Sequence, residues 1–249
     1  MQDFLNAITL LTILPVRLAP LPEGQAWNGG RALAYYPLVG LLIGGVLLGA
    51  SFLLSRVFPP LVTAALTLVV WAVITGGLHL DGFTDACDAL FVPVSRERRL
   101  QILRDVHLGA FGAAGLVLLL LCKAAALTSL TSLWPLLLAP VLGRWAIVYA
   151  ATYPLARKEG MAALFHAGFT ARQLVVATLI TIVVALCAGV LGVLAFALAW
   201  AAAAGIARLA VNRLGGLTGD IYGSICESVE VVILLAGTLT LPVLTLFHF

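Results

Sequence analysis

From Gln173 to Ala207 the chain runs for 35 positions without a charged residue. As a helix rising about 1.5 Å per residue, such a run is about 52 Å long, more than one crossing of a hydrocarbon core roughly 30 Å thick requires. It is therefore read as two helices divided near Gly189–Gly192, with a single long tilted helix as the alternative. The composition agrees. Of the 249 residues 62% are hydrophobic and 10% are charged, whereas a soluble domain holds about half apolar and a quarter charged residues. No soluble core could absorb that much apolar surface, so the bilayer is the natural solvent. The net charge of +3 is too small and too dispersed for nucleic-acid binding.

Other uncharged runs mark further crossings. Helices are predicted at about 33–55, 61–80, 109–128, 134–153, 173–190, 192–211 and 229–248. The expected fold is all-α: one integral membrane domain over residues 1–249, a bundle of about seven transmembrane helices. The stretch Phe4 to Leu14 is too short to span and lacks a basic leader or cleavage site. It reads as a short interfacial helix ended by Pro15.

Orientation follows from the basic residues. If the loop with Arg96, Arg98, Arg99 and Arg104 is cytoplasmic, strict alternation of seven spans also puts Arg17, Arg31, Arg157, Lys158, Arg172, Arg208 and Arg213 there. That is 11 of the 14 basic residues, the bias the positive-inside rule expects. Arg56 falls outside. Lys123 and Arg144 fall within spans, where a charge is costly and has a partner or a pathway role.

Six of the 11 acidic residues fall in two short stretches. In GGLHLDGFTDACDAL, Asp81, Asp85 and Asp88 stand at i, i+4 and i+7 and share one helical face. In GGLTGDIYGSICESVE, Asp220, Glu227 and Glu230 again share a face, while Gly219 and Gly223 leave room for a backbone or a phosphate. Clustered, partly buried carboxylates repel one another unless a cation neutralises them. An all-oxygen donor set suits Mg²⁺ or Mn²⁺ rather than zinc. Both stretches lie at cytoplasmic span ends, so they are expected to converge on one metal and diphosphate site. A merely solvated acidic helix end is the alternative.

Around these acids, His79 is open to several roles: orienting a nucleophile, general base, phosphate contact, or simple pairing with a carboxylate. Arginine forks suit phosphate oxygens, which makes Arg104, beside the Gly109–Gly112 turn, and Arg98 candidates for substrate binding. Lys123 and Arg144 are candidates too, unless they pair internally. Cys87, Cys122, Cys187 and Cys226 form no CxxC pair and are read as small apolar residues. His107, His166 and His248 have no constellation and are read as structural.

GGLHLDGFTDACDAL resembles the central HxDGxxDxxDG motif of the cobalamin synthases, also called adenosylcobinamide-GDP ribazoletransferases. FLNAITLLTILPV, YYPLVGLLIGG, RDVHLGAFGAAGLVLLLLCK, GRW at 143–145 and GGLTGDIYGSICESVE are similar to other blocks of that family, over roughly residues 4 to 235. Ala89 departs from the motif's final glycine. The resemblance implies a multi-pass enzyme of the bacterial cytoplasmic (inner) membrane, its active site facing the cytoplasm, that uses Mg²⁺. It would join adenosylcobinamide-GDP to α-ribazole, or α-ribazole phosphate, and release GMP. Under that reading Asp81, Asp85, Asp88 and Asp220 hold the metal, with Glu227 next. His79 or an unligated carboxylate takes the proton. A homo-oligomer, or association with other cobalamin-assembly enzymes, is compatible with it.

Two rival readings fit the sequence less well. The CDP-alcohol phosphotransferases also carry aspartate-rich metal sites, but an Ala-Arg pair follows their first Asp-Gly; here Phe83-Thr84 follows Asp81-Gly82. An ion-coupled transporter would place its acids near mid-bilayer on broken helices with paired repeats, whereas these acids sit at span ends.

Overall fold

The computed structural model describes residues 2–16 and 29–239. Among them it is all-helical, with one isolated parallel bridge between Leu155 and Leu217. The helices in chain order are α1 (Gln2–Leu11), α2 (Gly29–Ala32), α3 (Tyr36–Leu54), α4 (Pro60–Thr75), α5 (Leu78–Phe91) and α6 (Arg96–Ile102). They continue with α7 (Ala110–Ser129), α8 (Trp134–Ala150), α9 (Met161–His166), α10 (Ala171–Leu186), α11 (Gly189–Leu214) and α12 (Gly219–Ala236). A 3₁₀ turn at Leu33–Tyr35 joins α2 to α3.

Apolar sequence and local chemistry set these bounds. Proline stands in the first turn of α3, α4 and α8, where its missing N–H costs nothing and its fixed φ suits a helix start. Thr170 opens α10 with a reciprocal capping box to Gln173. The break expected near Gly189–Gly192 is present: α10 stops at Leu186, Gly189 takes φ +60°, and α11 begins there.

The expected count of about seven spans is met only in part. By length and apolarity three stretches can cross, Gly29–Leu54, Ala110–Ser129 and Gly189–Leu214, and a fourth does if α4 and α5 are taken as one broken span. The helices α8 and α10 have 17 and 16 residues. At about 1.5 Å per residue they fall short of a core roughly 30 Å thick. The last predicted span, 229–248, runs into residues outside those described, and α12 ends at Ala236. Arg17 and His248 are also outside them.

The predicted helix 61–80 ends early for a definite reason. Gly76 and Gly77 take φ +62° and +68°, the left-handed region that glycine enters without steric cost. The Gly77 N–H donates to the Ala72 carbonyl at 3.0 Å. The chain turns through 94° from α4 into α5, so the first acidic stretch leaves the direction of the preceding helix.

At the centre lie α8, buried along nearly its whole length, and α12, which packs on α5, α7, α8 and α11. Alanines at 195, 199, 203, 207 and 210 bury the inner stripe of α11. α1 is not simply interfacial. Ala7, Ile8 and Leu11 are buried against the bundle, and the Ile13 N–H donates to the Ile74 carbonyl at 2.9 Å.

Candidate active site

The two acidic stretches meet. Helices α5 and α12 cross so closely at Gly82 and Gly223 that a methyl group on Gly82 would stand 3.0 Å from the Asp220 carbonyl oxygen. One on Gly223 would stand 3.1 Å from the carbonyl of His79. Glycine at both positions lets the backbones touch. That contact brings Asp81 of one stretch and Asp220 of the other to a single cavity of about 300 Å³. His79, Gly219 and Gly223 line it as well, α1 covers one side with Leu10 and Leu11, and Tyr36, Phe165 and Tyr222 supply aromatic wall.

Exposure falls along the acidic face of α5: Asp81 is exposed, Asp85 half-buried and Asp88 buried. Among the described residues the Asp81 and Asp85 carboxylates have no hydrogen-bond or ion-pair partner. Asp85 instead faces the charges of Asp81, Asp220 and Asp88. Asp220 accepts a hydrogen bond from the Thr218 hydroxyl at 3.1 Å and has the Arg157 guanidinium 3.9 Å away.

Asp88 is engaged differently. Its oxygens accept the backbone N–H groups of Gly109 and Gly112, each at 2.8 Å. These amides open α7 and have no partner within that helix, so the carboxylate satisfies them and meets the positive end of the helix dipole.

Deeper along α12 lies a closed ionic network. The Lys123 ammonium donates to Glu227 and to Glu230, both at 2.6 Å. Arg144 donates to the other oxygen of Glu230. Its second nitrogen lies 3.4 Å from Nδ1 of His79, a residue that also lines the cavity. Lys123 also sits 4.3 Å above the Trp71 ring. Two positive and two negative groups balance, and all four residues are buried. Glu227, expected at the metal, and Lys123 and Arg144, expected at substrate, therefore pair with one another here.

The arginine loop is used chiefly to fasten helix ends. Arg99 donates to the carbonyls of Ala89 and Leu90 at 2.5 and 2.8 Å, Arg213 donates to Leu90, and Arg96 donates to Leu214 at 2.7 Å. Each satisfies terminal carbonyls of α5 or α11. Arg98 bonds the Gln101 amide at 3.0 Å and Arg104 is exposed; neither lines the acidic cavity. Sequence reasoning missed the arginine that comes nearest, Arg157. With Thr218 and Glu159 it lines a second cavity of about 200 Å³, which shares Met161, Gly219 and Asp220 with the first. It also passed over His166, whose Nε2 lies 3.0 Å from the Tyr222 hydroxyl.

Among the described residues no three of His, Cys, Asp and Glu form a closed cluster able to hold a metal by themselves. Asp81 and Asp85, which have no partner among the described residues, and Asp220, held only by Thr218 and the distant Arg157, are all carboxylates. That set fits Mg²⁺, which is commonly bound through one or two carboxylates, the rest of its octahedron coming from substrate phosphates and water.

A family model described as cobalamin-5-phosphate synthase matches residues 3–238. A Roseiflexus sp. (strain RS-1) protein named adenosylcobinamide-GDP ribazoletransferase is 39% identical over 241 residues, covering 95% of this chain and 89% of its own length. Proteins of the same name from Desulfitobacterium hafniense and Pseudomonas aeruginosa are each 38% identical, covering 95% of this chain and 96% and 97% of themselves. No solved structure matches.

Proposed function

Because the chain belongs to the cobalamin-5-phosphate synthase family, we propose that it is an adenosylcobinamide-GDP ribazoletransferase, the activity its relatives are named for. It joins adenosylcobinamide-GDP to α-ribazole or its phosphate and releases GMP. The observation that carries this reading on the chain itself is the meeting of Asp81 and Asp220 at one cavity across the Gly82–Gly223 crossing. A CDP-alcohol phosphotransferase or an ion-coupled transporter does not explain the family match.

In the proposed reaction a ribose hydroxyl of α-ribazole attacks the phosphorus bonded to the cobinamide alkoxy oxygen. A new P–O bond forms, the diphosphate P–O bond breaks, and GMP leaves with the bridging oxygen. The hydroxyl proton passes to His79 or to a carboxylate left unligated by the metal. Asp81, Asp85 and Asp220 are the residues that would hold Mg²⁺, which when bound neutralises phosphate oxygens and the charge growing on the leaving group. Asp88 would act by fixing the start of α7 behind them. Positioning does the rest, since two bound reactants held in line avoid much of the entropy of encounter. The protein in detergent should release GMP from adenosylcobinamide-GDP only when α-ribazole or its phosphate and Mg²⁺ are both supplied, and EDTA should stop it. GMP release without the nucleoside, or turnover undiminished by EDTA, would overturn the assignment.

The membrane setting extends the reading. We place the cavity at the cytoplasmic face of the bacterial inner membrane. Arg157 lines its neighbour, and Arg96, Arg99 and Arg213 bind the adjoining helix ends, as the positive-inside rule expects. Counting α8, α10 and α12 with α3, α4, α7 and α11 gives seven crossings, the shorter ones accommodated by local thinning of the bilayer. Arg56→Cys and Arg157→Cys, each in a cysteine-free background, should react with an impermeant thiol reagent from opposite sides of the membrane. Labelling of both from one side would refute this topology.

A further inference from the structure

The cavity is built asymmetrically. Its body is apolar and aromatic. Tyr36 and Phe165 meet edge to face, with ring centroids 6.3 Å apart and planes at 80°. Tyr222 stands beside them, its hydroxyl taken up by His166. Ile147 and the α1 leucines complete the lining. Asp81, Asp220 and His79 bring polar groups to the same lining, Asp81 and Asp220 flanking the close contact of α5 with α12 at Gly82. At about 300 Å³ the volume is at the bottom of the range for small-molecule sites, roughly 300–1,000 Å³.

We infer that this aromatic-walled cavity is the acceptor subsite, and that it holds the benzimidazole nucleoside while the corrin ring never enters it. The inference rests on the transferase reading above. A corrin macrocycle is far too large for the space. Guanine presents hydrogen-bonding edges on most of its rim, which apolar walls would strip of water without replacement. A benzimidazole has a flat apolar face and edge that suit aromatic neighbours. Its ribose would then point to the acids, where the attacking hydroxyl is needed. The diphosphate approaches from the other side of Asp220, through the second cavity that carries Arg157, since a guanidinium matches phosphate oxygens. Asp220 and Gly219 belong to both cavities. They form the wall across which hydroxyl and phosphorus meet.

Steady-state kinetics with each substrate varied in turn tests this. Removing the Phe165 ring loses apolar contact of one aromatic side chain, so Phe165→Ala should raise KM for α-ribazole about tenfold or more. KM for adenosylcobinamide-GDP should change less than about twofold. Arg157→Gln should show the opposite pattern, a higher KM for adenosylcobinamide-GDP alone. Phe165→Leu, read the same way, decides the matter if the alanine variant does not fold. A rise confined to adenosylcobinamide-GDP in the Phe165 variants, or equal values for both substrates, overturns the assignment while leaving the transferase standing. Wild-type protein that makes no GMP from both substrates overturns the transferase reading itself, and with it this one.

Discussion

Asp81→Asn loses GMP release by roughly three orders of magnitude, several kcal/mol of charge stabilisation at the transition state, while the protein stays inserted and folded. The substitution keeps the shape of the side chain and removes its charge. Among the described residues the Asp81 carboxylate has no partner, and it is exposed to the cavity, so folding has little to lose. Asp220→Asn should behave the same way from the opposite helix. It keeps the Thr218 hydrogen bond as an amide oxygen, and its separation from Arg157, 3.9 Å, makes that pair a weak one. Rates are read with purified protein at saturating Mg²⁺, and thermal unfolding in detergent checks the fold. If either variant turns over within a fewfold of wild type, the two acidic stretches do not form the catalytic mouth.

The largest loss of stability is expected deeper, from Glu230→Gln. This residue receives both Lys123 and Arg144 and is wholly buried. Neutralising it leaves two cations facing Glu227 alone, and an uncompensated buried charge costs about 3–5 kcal/mol. Lys123→Met should cost a similar amount by leaving the carboxylates unbalanced. Lys123→Met combined with Glu227→Gln should cost less than the separate effects added together, because charge is again matched. Thermal unfolding in detergent reads all of these. An unchanged midpoint for both single variants would mean that the network carries no stability.

Much of this was legible in the chain and some could not be. Uncharged length and glycine placement foretold the division between α10 and α11, since a helix too long for the bilayer must break where the left-handed region is cheap. Clustering of acids in a charge-poor chain foretold a meeting of the two stretches, and Asp81 and Asp220 do line one cavity. What each acid would do there depended on groups far away in sequence. Nothing in the spacing of Asp88 shows that Gly109 and Gly112 will bring two unpaired amides to it. Lys123 and Arg144 stood out as charges at membrane depth, but their partners become visible only once α7, α8 and α12 are side by side. The arginine loop misled in a similar way. Its side chains resemble phosphate ligands, yet Arg96 and Arg99 close off helix carbonyls, and Arg98 and Arg104 do not line the acidic cavity. Of the seven predicted spans, three or four are long and apolar enough to cross by those measures alone, because apolarity marks a helix as lipid-compatible without fixing its length.

The right-angled elbow at Gly76–Gly77 has a consequence for the membrane as a whole. Since α5 lies crosswise to α4, a tilt of α4 is not handed on directly to the helix that carries Asp81 and Asp85. The two acids stand about one helical turn apart on α5, so their spacing is set by that helix whatever the thickness of the bilayer around α4. Adjustment of α4 to a thicker or thinner lipid sheet is then taken up at the two glycines rather than along the acidic face.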